Sequence, residues 1–360
     1  VPKGEFRNAQ HGGCLMSATA DTIDLPRLTD YLASRLIGFA GPVTLRKFAG
    51  GQSNPTYLLE TPTSSYVLRR QPFGTLLKSA HAVDREFRVL TALQQTAVPV
   101  PRSHLLCEDT SVIGSMFYLM SHEPGQTYWD PALPELTPAQ RGRVYSELIR
   151  VLAALHDLDV DKIGLGDFGR RSNYFERQLA IWTKQYRASQ TQRIAAAESL
   201  MEWLAQRVPP DDGQCSLIHG DYRLDNLIFE PETQQARALL DWELSTLGHP
   251  LADLAYFCAL PRLPAVGLVQ GLGGVDRQAL GIPPEEEVVA RYCELRGIAS
   301  IRDWDFYIAF SFFRMAAIVQ GVYKRALDGN ASNARALEMG PAVQLLSQAG
   351  LEAVRACSGS

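Results

Sequence analysis

Residues 217–243, LIHGDYRLDNLIFEPETQQARALLDWE, set Asp221, Asn226 and Asp241 at the ends of short apolar runs. Carboxylates beside buried β-structure are costly unless a metal, a hydrogen-bond network or a substrate offsets their desolvation. Asn226 and Asp241 offer hard oxygen donors of the kind that share a Mg2+ ion, which also keeps waters and substrate phosphates in its shell. Asp221 stands on the loop between, free to accept a proton from an incoming hydroxyl. The plainer alternative is a polar hairpin whose acids merely cap turns.

The chemistry needs elements to hold it. Leu227–Phe229 and Ala238–Leu240 read as a strand pair turned by EPETQQ, which brings Asn226 and Asp241 near adjacent strand ends. Upstream, a helix over 24–39 with an Asp cap precedes three strands, VTLRKF, TYLLET and SYVLRR, joined by a Gly-rich turn and a hairpin. A charged helix over 80–93 and two further strands, SHLLCED and SMFYLMSH, complete a small α+β lobe ending near His122. Helices then dominate, over 137–158 with Thr and Pro at its start, 171–188, 192–206, 251–260, 284–296, 303–327 and 338–356. The spacing predicts an α+β, two-lobed architecture: a tail over 1–25, a small β-rich N-lobe over 26–122 and a larger helical C-lobe over 123–360.

The 360 residues are 46% hydrophobic and 21% charged, near the globular average, so a sizeable core can form. A net charge of -4 and the lack of a long basic run disfavour nucleic-acid and anionic-membrane partners. Six scattered cysteines without CxxC spacing suit reduced thiols in a cytoplasm. The N-terminal stretch lacks the apolar core of a signal peptide, and Met16 reads as a plausible start, with residues 1–15 an upstream extension. FYIAFSFFRMAAIVQGVY (306–323) has the length to span a membrane, but central Arg314 makes it a buried helix of a soluble protein. His156 reads as a helix-packing residue.

HGDYRLDN followed by LLDWE resembles the aminoglycoside phosphotransferase and choline-kinase-like branch of the protein-kinase fold, whose catalytic loop is H-G-D-x-x-x-x-N. With GGQSNPTY, YVLRR, HAVDREFRVL and LDWELSTLGHPLADLAY, the chain looks most similar to one subgroup. That subgroup comprises bacterial stand-alone phosphotransferases and the kinase-like domain fused to acyl-CoA dehydrogenases. The resemblance covers about residues 26–330. It implies ATP and Mg2+ as cofactors, Asp221 as the catalytic base, and Asn226 and Asp241 as metal ligands. Arg223 falls where protein kinases carry a Lys facing the transferred phosphate, though a solvated loop Arg reads equally well. Gly50, Gly51, Gln52, Ser53 and Asn54 stand in place of the Gly-rich loop; taken alone, that stretch is equally a flexible hairpin turn. Arg69 occupies the phosphate-pairing position usually held by Lys, with Glu86 its natural ion-pair partner. Met120 to His122 falls at the connector where adenine would bond backbone groups. Asp253 resembles an acid that braces the catalytic loop, and His219 and Asp225 read as loop-fixing residues.

Two functions follow. The first is a small-molecule kinase acting on a hydroxyl; the alternative is a nucleotide-binding pseudokinase or interaction module, favoured only by Arg in place of Lys at position 69. The helices expected on the substrate side carry more base than acid, GRRSNYFERQLAIWTKQYRASQTQR and FSFFRMAAIVQGVYKRAL. That disfavours polycationic antibiotics and points to an anionic, partly apolar hydroxylated metabolite, such as a hydroxyacyl thioester of coenzyme A. Arg314 is expected to face that substrate. Oligomeric state is not legible.

Overall fold

A computed structural model of the protein describes residues 23–48, 54–73, 82–266, 269–330 and 335–356. Helix α1 (Leu25–Arg35) starts where Asp24 accepts the Arg27 amide at 3.0 Å and ends four residues short of the predicted boundary. Strands β1 (Thr44–Lys47), β2 (Thr56–Glu60), β3 (Ser65–Arg70), β4 (Ser103–Cys107) and β5 (Phe117–Ser121) form one antiparallel sheet in the order β1-β2-β3-β5-β4. The register sets Arg69 opposite Thr56 on one side and Tyr118 on the other. Helix α2 (Val83–Leu93) crosses between β3 and β4 and buries Val83, Glu86, Val89, Leu90 and Leu93.

The larger lobe opens on α3 (Pro138–His156), whose Thr137 and Gln140 form a reciprocal capping box. Helices α4 (Tyr174–Ser189) and α5 (Ala195–Gln206) follow, then β6 (Ser216–Ile218), β7 (Leu227–Phe229), β8 (Ala236–Leu239) and β9 (Thr246–Gly248). β7 pairs β8 and β6 pairs β9, both antiparallel. Helices α6 (Leu251–Ala259), α7 (Arg277–Leu280), α8 (Glu285–Arg296), α9 (Trp304–Leu327) and α10 (Gly340–Ala356) complete the chain. By length and composition α9 is apolar enough to cross a membrane; here it runs through the lobe, burying Phe306 to Ala317 against α4, α6 and α10.

Two apolar clusters hold the chain. One lies under α1 on the outer face of the small sheet, around Leu28, Leu32, Leu59, Leu68 and Phe117. The other begins on the opposite face, with Val67, Tyr118, Met120 and the buried side of α2, and continues without a break through the helical lobe. The boundary near residue 122 therefore divides architecture but not core. The backbone stitches the two halves as well: Leu239 donates to the Pro99 carbonyl at 2.8 Å. Gly125, in the connector, lets the chain press against β7; a Cβ there would sit 2.6 Å from the Phe229 carbonyl oxygen. Among the described residues Cys107, Cys215, Cys258 and Cys293 are free thiols.

Candidate active site

The loop after β6 is fixed before any functional group is placed. Asp253 is fully buried on the first turn of α6 and receives the amides of His219 at 2.6 Å and Gly220 at 2.9 Å. Burial works against its charge, but His156 and those amides more than compensate and hold the carboxyl below the usual range. His219 is pinned at both nitrogens: Nδ1 lies 3.2 Å from the Asp221 amide, and Nε2 lies 2.7 Å from the Leu240 carbonyl oxygen. The first contact needs an acceptor and the second a donor, which selects the Nε2–H tautomer. Gly220 takes a φ of 84°, and a Cβ there would meet the Leu244 carbonyl oxygen at 2.6 Å. Only glycine fits both conditions.

On this loop Asp221 points its carboxylate toward Tyr256, whose hydroxyl donates to Oδ1 at 2.7 Å. The Asn226 amide nitrogen donates to the Asp221 carbonyl at 2.8 Å and reaches Oδ2 only at 3.4 Å. Among the described residues the Asn226 Oδ1 then takes no hydrogen bond. The strand pair does what its sequence predicts: Leu240 donates to the Asn226 carbonyl at 2.8 Å, so Asn226 and Asp241 end adjacent strands. Asp241 adopts a left-handed backbone, φ 64°, a conformation unusual outside glycine and often found at functional sites. Among the described residues no three His, Cys, Asp or Glu side chains gather as a metal cage. The Asn226 amide oxygen and the half-exposed Asp241 carboxylate, at adjacent strand ends, are nonetheless oxygen donors of the kind that fit a hydrated Mg2+.

Arg69 spans the two lobes. Its Nε lies 2.9 Å from the Glu86 Oε2, and its Nη2 lies 3.0 Å from both the Asp241 Oδ1 and the Glu243 Oε2. Burial opposes the guanidinium charge, but Glu86 and the other acids outweigh it and move its pKa up. Glu86, 2% exposed, also accepts from Asn54 at 2.9 Å and from the Tyr118 hydroxyl at 3.1 Å. Burial pushes its carboxyl up to about 7 against the pull of Arg69. The Asn54 and Tyr118 donors and the adjacent guanidinium fit the ionised form. The expected Arg69–Glu86 pair is therefore present in the geometry. Asn54, read as part of a phosphate cradle, commits its amide to Glu86 instead. Gly50, Gly51, Gln52 and Ser53 lie outside the described residues.

Met120 is paired to both neighbouring strands, the Ser121 amide donates to the Arg102 carbonyl at 2.8 Å, and His122 sets Nδ1 3.3 Å from the Ser65 hydroxyl. Arg223 pairs with Asp225 and lies 3.8 Å from the Asp221 Oδ1; the two acids outweigh burial and raise its pKa. Beside it opens a cavity of about 660 Å3, walled by Tyr256, Phe257, Leu260, Met315 and Leu346 among others, with Arg223 and Asp225 at its polar edge. Arg314 departs from expectation. It is 8% exposed, donates to the Gly220 carbonyl at 2.5 Å and lies over the rings of Tyr256 and Trp182 at 5.5 and 5.7 Å. A cation buried by that many partners braces the loop and does not present itself to a ligand. Lys324, on the same helix, pairs with Asp328. Tyr256, Tyr118 and Glu243 escaped the sequence reading, and Arg314 was given another role. Tyr256 had a signal, since it stands three residues after Asp253 on α6 and so shares its face.

The model of the phosphotransferase enzyme family called APH matches residues 44–287. The chain is 48% identical over 309 residues to mouse acyl-CoA dehydrogenase family member 10, covering 86% of the chain but 29% of the mouse protein. A solved Ralstonia eutropha structure, provisionally described as an aminoglycoside phosphotransferase, shares 45% identity. Its TM-score is 0.86, with 93% of this chain and 99% of that chain covered. At 15% identity, where likeness shows fold alone, aminoglycoside phosphotransferase APH(4)-Ia superposes with a TM-score of 0.58, covering 90% of this chain and 98% of its own. That structure is a ternary complex with ADP and hygromycin B.

Proposed function

The chain belongs to the APH phosphotransferase enzyme family, and from that membership we propose an ATP- and Mg2+-dependent kinase that moves the γ-phosphoryl group to the hydroxyl of a small molecule. The observation that carries this reading is that Asn226 and Asp241 end adjacent strands under an arginine clasped across the lobes, with Asp221 bonded to Asn226 and to Tyr256, a wall residue of the cavity. Asp221 accepts the proton of the acceptor hydroxyl and aligns its oxygen. Arg69 keeps Nε against Glu86 and Nη2 on Asp241 and Glu243, and its remaining Nη1 would be the nitrogen that meets phosphate. The Asn226 Oδ1 and the Asp241 carboxylate would hold the ion, which would neutralise phosphate charge. Arg223 balances charge on the acceptor side, and the apolar cavity walls exclude water from the reacting oxygen.

The acceptor we propose is a hydroxylated metabolite with an apolar body and an anionic head, of which a hydroxyacyl thioester of coenzyme A is the model. The apolar walls support the body, and the acyl-CoA dehydrogenase named in the mouse relative supports the thioester. ATP consumption by the full chain with Mg2+, against hydroxyacyl-CoA thioesters, hydroxy acids, sugars and kanamycin, tests both levels. Turnover is expected with the acyl acceptors and not with kanamycin, and Asp221→Asn should cost at least about 100-fold. Efficient kanamycin phosphorylation would overturn the acceptor class. No transfer to any alcohol, with no thermal shift from ATP with or without Mg2+, would favour the interaction module.

A further inference from the structure

We infer that Tyr256 is a positioning residue for phosphoryl transfer, its hydroxyl occupying one carboxylate oxygen of Asp221 so that the other is held ready for the acceptor hydroxyl. The inference rests on the reading of Asp221 as the proton acceptor and goes beyond it.

The two oxygens of Asp221 are not equivalent. Oδ1 takes the Tyr256 hydroxyl at 2.7 Å and has the Arg223 Nε 3.8 Å away. Among the described residues Oδ2 has only the long 3.4 Å approach of Asn226, whose short bond goes to the Asp221 backbone. A free carboxylate rotates its two oxygens into equal use; one oxygen tied to a fixed phenol cannot. Tyr256 is itself fixed. It is 8% exposed and rooted on α6 one turn after Asp253, and its ring carries the Arg314 guanidinium at 5.5 Å, which is anchored to the Gly220 carbonyl. The base and the loop that bears it are thus braced from one side by a single stack.

The same ring forms part of the cavity wall beside Arg223. An acceptor lying along that wall brings its hydroxyl to the end of the ring where Asp221 waits. Burial first, then Asp221, pushes the Tyr256 phenol well above its ordinary value, so it stays a donor at any working pH. In the transfer, the acceptor oxygen bonds to the γ-phosphorus as its proton passes to Asp221 Oδ2. The bond from that phosphorus to the bridging oxygen breaks, and ADP leaves with the electron pair.

The test is a double-mutant cycle of Y256F and D221N in the full chain, read as transfer to the fastest alcohol of the panel and as slow Mg-ATP hydrolysis. Y256F keeps the ring and removes one hydroxyl. Its kcat should fall by roughly ten- to a hundred-fold, the range of a hydrogen bond to a charged group, with KM for Mg-ATP and Tm little changed. In the D221N background the same change should add less than about two-fold. An unchanged kcat, a change confined to acceptor KM, or effects that multiply in the double variant would each overturn the assignment and leave the kinase reading standing. A wild type that transfers to no acceptor and hydrolyses no ATP would remove the kinase reading and this inference with it.

Discussion

Arg69 does with one side chain what three separate cations would otherwise do, since Glu86, Asp241 and Glu243 all lean on it. Removing it leaves Glu86 buried at 2% exposure without its countercharge, a loss on the order of 3–5 kcal/mol for broken buried pairs. Arg69→Ala should therefore lower both Tm and ATP affinity. Arg69→Lys should recover part of each, because one ammonium can meet Glu86 but cannot fork to Asp241 and Glu243 as well. Calorimetric ATP titration beside a thermal melt checks this; a variant that shifts neither shows the clasp to be idle. The Arg69–Glu86 pair was legible through the family resemblance, which sets its partners on a strand and the helix after it. Tyr256 and Arg314 were not, because their contacts join residues 35 and 94 positions apart. No local pattern says that a cation in an apolar helix faces a loop carbonyl and not a ligand.

At the scale of elements, the loop after β6 is held from α6, α9 and the 3₁₀ turn at Trp242–Leu244, none of which contacts ATP in the proposed reaction. His156 on α3 extends this frame, with Nε2 3.4 Å from Asp253 and Nδ1 2.7 Å from the Tyr292 hydroxyl. Burial depresses the His156 pKa below its ordinary 6.5. A depressed folded pKa gives stability that is complete above about 6.5 and declines as pH falls toward the folded value. Glu86, raised to about 7, acts with the opposite sign, losing its contribution as pH rises through that value. Comparing His156→Asn with wild type isolates the histidine. The wild type should lose Tm on acidification from pH 7 to 5 more steeply than the variant, by at most about 1.4 kcal/mol per pH unit. Parallel curves would show that His156 carries no such linkage. Boundaries of α3 and α9 were readable from a capping Thr and an apolar stretch. The segment 262–284, for which no element was expected, holds α7 and contributes Leu263 and Val269 to the cavity wall.

For the whole molecule, the continuous apolar cluster makes the two lobes one cooperative unit. Slow-exchanging amides of β3 and β5 should therefore share a global opening free energy with those of α3 and β7, within about 1 kcal/mol in native-state hydrogen exchange. A small lobe that opens several kcal/mol earlier would show that the core is divided after all. The two-lobed α+β architecture was legible from the change of period near residue 122, where strand alternation gives way to long helices. The joining of their cores was not, since it depends on which face of α2 and of the small sheet meets the helices.

The triple clasp on Arg69 also constrains how such sequences can diverge. A lineage that trades this arginine for lysine loses donors for two of three clustered acids, and one of those, Glu243, sits next to a buried tryptophan with nothing in the sequence of HGDxxxxN to require it. Drift at position 69 and drift at position 243 are then not independent events. Aligned relatives bearing lysine at the first site should tend to have surrendered the acid at the second, and an alignment in which the two positions vary without regard to each other would show that selection does not feel the clasp.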